Sequence, residues 1–342
     1  MLRTQSTSKK RKKLSHLFIE SFHTSIPAEY TIYMQLINFS DAKSIWDTSF
    51  ESNSLQVPFL TYAWHELWYE ILANSWQPYV IVKDTITAPL ARRGNSVIFS
   101  GGEELADYLD IIGPTDQKNQ FLQEMVGYLV QQGVTTIKFN NVPQNSPTLA
   151  FFQNNQTIFQ ATIEVEDSTP IIQLPKSWDI YISYLTHKHR HELRRKIRKT
   201  SSSYPNIIVN NATKLENGIN TLLTLMKKNH NKAVFLTPQT EAFFRHLIIA
   251  FKNTLEISTI SENKHFIAAT MAFKTNKSYL LYNSGYDFSY SGISFFLKTH
   301  LIQEAIKQNI EEFNFLQGRE RYKYELGGKD FLVYKITAEL KN

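Results

Sequence analysis

Apolar and polar positions along this chain recur with two different periods, and the changes of period mark its elements. From about Glu29 the pattern turns structured. After Asp47 comes the aromatic run Pro58-Phe59-Leu60-Thr61-Tyr62-Ala63-Trp64, whose continuation through His65, Leu67, Trp68 and Ile71 has helical spacing. Short β-rich runs at 78–82, 88–91 and 96–99, with Gly94-Asn95 as a turn, predict a hairpin series. A helix over about 117–132 stops at Gly133, and residues 135–139 make the strand that follows. Strands, a helix and another strand form an α/β unit that closes near Glu166.

Residues 170–175 read as a link, and Ser177 as the cap of a helix beginning at Trp178. The order of elements then repeats without any repeat of sequence. Helices are expected over 215–230 and 240–253, strands near 255–260, 266–273 and 278–284, a helix over 292–308, and strands over 312–316 and 331–338. At 342 residues the chain has room for two units, each with its own core. The expected division is a basic tail over 1–27, a first domain over 28–168 and a second over 169–342.

Composition removes several kinds of chemistry. With 42% hydrophobic and 20% charged residues the chain is globular, and with no Cys it has neither disulfides, thiolate metal sites nor a cysteine nucleophile. No apolar run approaches the roughly 20 residues of a membrane span, and the N-terminus lacks the apolar core of a secretion signal, so a soluble, cytoplasmic protein is expected. The net charge of +6 equals the charge of Arg3, Lys9, Lys10, Arg11, Lys12 and Lys13, which precede the first acidic residue, Glu20. The remainder is neutral. That tail reads as a solvated terminus, with peripheral contact to an anionic membrane surface or RNA as the alternative.

Candidate chemistry collects in the second half. The run Tyr279-Leu280-Leu281-Tyr282-Asn283-Ser284-Gly285-Tyr286-Asp287 leads through Ser289-Tyr290-Ser291-Gly292 into a helix with Ile293, Phe296, Leu297 and Leu301 on one face. A helix start offers unpaired N–H groups and a positive dipole end, where a pyrophosphate or carboxylate binds without a basic side chain. Gly292 would let a ligand approach the backbone, although the same spacing suits an ordinary cap. A second strand, Phe313-Asn314-Phe315-Leu316-Gln317-Gly318, precedes Arg319-Glu320-Arg321-Tyr322-Lys323, side chains that belong either at a cleft mouth or on a solvated helix face. Residues 188–199 form the most basic segment, with Arg190, Leu193 and Ile197 at helical spacing. It is a solvated helix or a phosphate-binding surface for a nucleotide sugar, coenzyme A or transfer RNA. His187, His189 and His191 point to different sides of such a helix, so no metal site is expected.

Four segments together carry a family likeness: Phe59 to Trp68, Pro89 through Asp107-Tyr108-Leu109-Asp110, Arg190 to Arg198, and Phe315-Leu316-Gln317-Gly318 with Tyr322-Lys323. In their order the chain resembles the CelD/BcsL group of acetyltransferases, named for an association with cellulose biosynthesis. That group lies in the GNAT superfamily and is related to the Fem-type peptidoglycan aminoacyl ligases. The resemblance implies an α/β fold of two tandem GNAT-like domains, with mixed, mostly antiparallel sheets flanked by helices. It implies an acyl-CoA donor, acetyl-CoA foremost, with no metal. The acceptor would be an amine or hydroxyl on a sugar or peptide precursor of a cell-surface polysaccharide, with no specific nucleic acid partner. Asn283, Ser284, Ser289, Ser291, Gly292 and Ile293 would hold the donor. Asp107, Asp110, Arg190, Arg194 and Gln317 would hold the acceptor. Acyl transfer needs a base, an acid and an oxyanion partner. Glu320 or Asp287 is the candidate base, Tyr282 or Tyr322 the donor to the oxyanion or thiolate, and Lys323 the partner of an anionic group. At the turn, Tyr290-Ser291-Gly292 replaces the Pro-Gly or richer glycine pattern usual in such sequences. The alternatives are a Fem-like ligase dependent on aminoacyl-tRNA and a non-catalytic GNAT-fold binding protein.

Overall fold

The computed structural model describes residues 34–340. The basic tail lies outside them. Residues 34–69, 73–166 and 333–340 form one unit, and residues 70–72 and 167–332 the other.

The first unit is built on strands β1 (Gln35–Ile37), β2 (Gln77–Lys83), β3 (Ile86–Arg93), β4 (Ser96–Phe99), β5 (Thr136–Pro143) and β6 (Thr162–Ser168). The second has β7 (Ile171–Gln173), β8 (Ile207–Asn211), β9 (Leu255–Glu262), β10 (His265–Lys274), β11 (Ser278–Tyr286) and β12 (Glu312–Asn314), and β13 (Leu332–Glu339) follows in sequence. The sheets run β1-β2-β3-β4-β5-β13-β6 and β7-β12-β11-β10-β9-β8. Each contains an antiparallel meander, β2-β3-β4 or β9-β10-β11, and then one parallel neighbour, β5 or β12. A parallel step needs a crossover, and the helices Lys118–Gln131 and Ile293–Lys307 provide it. The same plan laid out twice makes the fold a tandem one.

The aromatic helix of the first unit, Tyr62–Ile71, is core structure. Trp64 Nε1 donates to Gly101 O at 2.9 Å, and the His65 ring lies between Ser100 Oγ at 2.7 Å and Phe59 O at 2.9 Å. Burial lowers the His65 pKa to about 3, so the ring is neutral and structural.

Three expectations change. The link at 170–175 contains a strand, β7, antiparallel to β12. The helix expected to reach residue 230 ends at Met226, and a separate short helix, His230–Phe235, begins behind the Asn229 side chain, which accepts from Lys232 N. The strand expected to close the second domain is β13, and it lies between β5 and β6 of the first sheet. Alternating apolar residues predict a strand but not which sheet it joins. No helix among the described residues is long and apolar enough to cross a membrane.

Candidate functional site

In the second unit, β11 and β12 pair over only three residues, Ser278 with Glu312, Tyr279 with Phe313 and Leu280 with Asn314. β12 stops there while β11 runs on to Tyr286, so among the described residues the β12-facing edge of β11 from Leu281 onward has no strand beside it. On the other edge the register with β10 slips: Ala272 faces Leu281 and Met271 faces Asn283, which leaves Tyr282 as the extra residue of a bulge. The bulge re-aims the strand end. Beyond it Gly285 lies against the helix Leu215–Met226, where a Cβ would stand 2.5 Å from Met226 N. The Tyr282 ring stacks on Phe244 at 5.7 Å and leans on Phe273 at 5.5 Å, a packing role.

The turn after β11 is knit by its own side chains. Asp287 accepts from Ser289 N at 3.0 Å and Ser289 Oγ at 2.6 Å, and pairs with Lys228. The Lys228 contact and the Ser289 hydrogen bonds lower the Asp287 pKa to about 2, which suits a turn anchor and not a base working near neutrality. Ile293, expected at the donor site, is buried in the core, and its backbone N–H donates to Tyr290 O at 3.3 Å. Gly292 has φ +83° and supplies no side-chain cap, so the helix start is open at the exposed Ser291 and Gly292. Its missing Cβ, however, points at Thr200 Oγ1, 2.8 Å away. Glycine is therefore required here by backbone conformation and by packing against the helix His187–Ser203, beyond any ligand.

Past β12 the chain makes a tight seat. Leu316 has φ +57° and Gly318 φ +114°. This conformation turns the carbonyls of Leu316 and Gln317 onto Lys323 Nζ at 2.9 and 2.6 Å, and Glu320 Oε2 adds a third acceptor at 3.0 Å. An ammonium has three N–H donors, and here three acceptors surround it. Lys323 is thus a buried strut that fixes Glu320, in place of the expected ligand for a substrate anion. The Glu320 carboxylate folds over the space a Gly318 side chain would fill. Gln317 contributes through its carbonyl. Tyr322 packs edge-on against Phe315 at 6.0 Å, and burial, with Glu320 and Tyr286 adding to it, raises its phenol far above the usual tyrosine range. It is a hydrogen-bond donor at any physiological pH.

Sequence reasoning missed two partly or fully buried lysines of the second unit. Lys232 donates to Asn283 Oδ1 at 3.1 Å and Ser284 O at 2.6 Å. Lys298, buried on the crossover helix, donates to Ser294 Oγ at 2.6 Å and lies 4.3 Å from the centre of the Tyr322 ring. Desolvation lowers Lys298 to about 7 and Lys232 to about 8, and both sense the Glu320 and Lys323 charges. In the unfolded chain a lysine holds its proton to about pH 10.4, so the unfolded state binds more protons between roughly pH 7 and 10. Stability therefore rises with pH across that window. Thermal unfolding of the ligand-free protein at constant ionic strength is expected to show a higher Tm at pH 9 than at pH 7, with a visibly smaller rise in Lys298→Met. An unchanged slope in that variant would refute the buried, deprotonating lysine.

An open groove runs between the helices His187–Ser203 and Arg321–Glu325, lined by His187, Lys188, His191, Lys196, Arg321 and Tyr322. Of the expected acceptor ligands on the basic helix, Arg190 turns inward to Leu185 O at 3.2 Å, and Arg194 is exposed. Neither lines the groove. Asp107 and Asp110 lie in the first unit. Asp110 is buried and accepts from Ser146 Oγ at 2.8 Å, Thr148 Oγ1 at 2.5 Å and Ile111 N at 2.8 Å, with Lys118 Nζ 3.6 Å away. It is a structural carboxylate. Among the described residues no group of three or more His, Asp or Glu side chains could hold a metal ion.

Residues 187–324 match the family described as acetyltransferase (GNAT) domain. A conserved protein of unknown function from Bacteroides thetaiotaomicron VPI-5482 is similar in structure, with TM-score 0.61, 14% identity, and coverage of 91% of this chain and 100% of that one. FemX gives TM-score 0.58 at 10% identity, over 89% of this chain and 96% of that one. A tandem GNAT protein from the clavulanic acid biosynthesis pathway gives TM-score 0.50 at 9% identity, over 91% and 99%. No curated protein matches. At such identities the structural likeness speaks for fold alone, and the sequence match speaks for the second unit. The chain has the tandem GNAT-like fold, and its residues 187–324 are similar to the acetyltransferase (GNAT) domain family.

Proposed function

We propose that the second unit transfers an acyl group from an acyl-coenzyme A, acetyl-CoA foremost, to an amine or hydroxyl on a sugar or peptide precursor of a cell-surface polymer, in the manner of CelD/BcsL-like acetyltransferases. The observation that carries the reading is the early parting of β11 and β12 beside an open helix start. An extended pantetheine arm suits the strandless edge of β11, to which it would add as a strand. A pyrophosphate suits the first N–H groups of the helix Ile293–Lys307. The donor supplies a reactive thioester carbonyl. Glu320, held by Lys323 and Gly318, takes the proton from the attacking nucleophile, directly or through water. Tyr322, uncharged, donates a hydrogen bond to the departing thiolate.

Calorimetric titration of acetyl-CoA tests the donor. Binding is expected to be saturable and to weaken about tenfold in Ser291→Asp, which sets a carboxylate beside the phosphate-binding N–H groups at an exposed position without disturbing Gly292. Undetectable binding to the wild type at millimolar donor would sink the acyl-CoA reading.

The likeness to FemX and the basic groove favour one alternative, a ligase fed by aminoacyl-tRNA. Such an enzyme would bind RNA with a steep salt dependence that falls when groove cations are neutralised. Neither acetyl-CoA nor RNA binding would leave a non-catalytic GNAT-fold protein.

A further inference from the structure

The open groove of the second unit has a volume of about 770 Å³, a size at which protein pockets enclose a whole small molecule. Two neighbouring rows of the helix His187–Ser203 make one wall, His187 with His191 and Lys188 with Glu192 and Lys196, each row stepping by four residues. Arg321, Tyr322 and Glu325 make the other. One carboxylate ties the walls together. Glu325 accepts from Lys196 Nζ at 2.6 Å and pairs with Arg321 Nε at 2.8 Å, so two cations share a single counter-charge. Glu192 is already taken by Arg195, which lies outside the lining and donates from Nε at 3.0 Å and from Nη2 at 2.8 Å. With Lys188 exposed beside them, the groove holds a surplus of two positive charges.

We propose that this groove receives the acceptor, and that the acceptor carries a phosphate or diphosphate group held by Lys188, Lys196 and Arg321, with His187 and His191 supplying further N–H donors. This rests on the acyl-transfer reading and narrows its acceptor to a phosphorylated sugar or peptide precursor. Ammonium and guanidinium groups both favour phosphate oxygens, and the Arg321 fork can take two of them at once. A surplus of two charges, with carboxylates in the lining, suits one compact anion, whereas the long backbone of an RNA calls for many cations. Position separates this site from the donor's. The donor turn packs near the C-terminal end of the same helix, where the missing Cβ of Gly292 would stand 2.8 Å from Thr200 Oγ1. At about 1.5 Å per residue, Lys188 lies roughly 18 Å up the helix axis from Thr200, and neither Ser291 nor Gly292 lines the groove. Tyr322, the phenol assigned to the departing thiolate, stands on the groove wall, so a molecule lying in the groove adjoins the reaction centre.

The test is a calorimetric titration of inorganic pyrophosphate into the full chain at constant ionic strength, with saturating acetyl-CoA present so that the donor's own phosphate site is filled. Saturable binding is expected, and Lys188→Met and Arg321→Met should each weaken it by about threefold or more. Glu325→Gln should tighten it by about threefold, because Lys196 and Arg321 lose the carboxylate they share, and a variant that misfolds cannot give that result. Arg194→Met, on the same helix but outside the lining, should stay within about twofold. Acetyl-CoA affinity should stay within about threefold of wild type in all four variants. No saturation by about 10 mM pyrophosphate overturns the proposal, and so does an affinity that none of the three groove variants changes. A parallel loss of acetyl-CoA affinity in Lys188→Met and Arg321→Met also overturns it, by giving the groove to the donor. Salt-dependent binding of a single-stranded RNA oligonucleotide, lost in the same variants and without saturable pyrophosphate binding, would give the groove to a nucleic acid instead. If the wild type ignores acetyl-CoA, the titration is run without it, and a response to the three groove variants then keeps the phosphate groove while the donor reading falls.

Discussion

Under the proposed function, Glu320→Gln is expected to slow acyl transfer by about 10²–10⁴ while acetyl-CoA binding stays within about threefold of wild type. The substitution is nearly isosteric, and the new amide oxygen still accepts from Lys323, whose other two acceptors are backbone carbonyls. The seat therefore survives and the proton acceptor is lost. Turnover is best followed as release of free thiol from acetyl-CoA against a panel of amine and hydroxyl acceptors. A falling kcat with an unchanged acetyl-CoA Kd is the signature of a base. Retention of rate within threefold would remove Glu320 from that role. Gly318→Ala provides an independent reading, because a side chain at φ +114° must push the carboxylate away, and it should mimic the loss without touching the chemistry of the carboxyl group.

Gly285→Ala is expected to destabilise the second unit more than any other single methyl group added to it. The new Cβ would stand 2.5 Å from Met226 N and 2.7 Å from Leu225 C, and backbone cannot rotate away as a side chain can. A cost of about 3 kcal/mol follows from overpacking, and at roughly 2–4 °C per kcal/mol the transition of that unit should fall by about 6–12 °C. Gly127→Ala is the matched control. It lies inside the helix Lys118–Gln131 with nothing within 4 Å of its added Cβ, so it should raise stability by about 0.5–1 kcal/mol. Thermal unfolding of the two variants in the same buffer decides the point, and equal effects would contradict the close strand–helix approach.

Most strands and helices were legible from periodicity because each buries one face, and burial writes itself into the spacing of apolar residues. Ser96–Phe99 and the crossover helix near Ile293–Lys307 emerge almost where they were expected. What periodicity does not carry is partnership. The bulge at Tyr282 exists only relative to β10, so no single-strand pattern reveals it. Asp110 and Glu320 look alike in a sequence. One is surrounded by hydroxyls and an amide in the first unit, and the other sits half-exposed above a lysine. Lys298 did leave a trace: it shares a helix face with Leu301, Ile302 and Ala305, where a charge has no ordinary business. Lys232 left none, because its short helix lies in a polar stretch.

The placement of β13 has a consequence for the order in which the molecule comes into being. The second unit, residues 167–332, contains every strand of its own sheet, whereas the first sheet has an empty lane between β5 and β6 until Leu332–Glu339 have been synthesised. Translation at about 5–20 residues per second leaves β5 and β6 with unsatisfied edges for roughly ten seconds or longer after both have been made. The half that is made first is therefore the half that finishes last. The second unit has every strand it needs to close on itself while the first still waits, open-edged, for one strand.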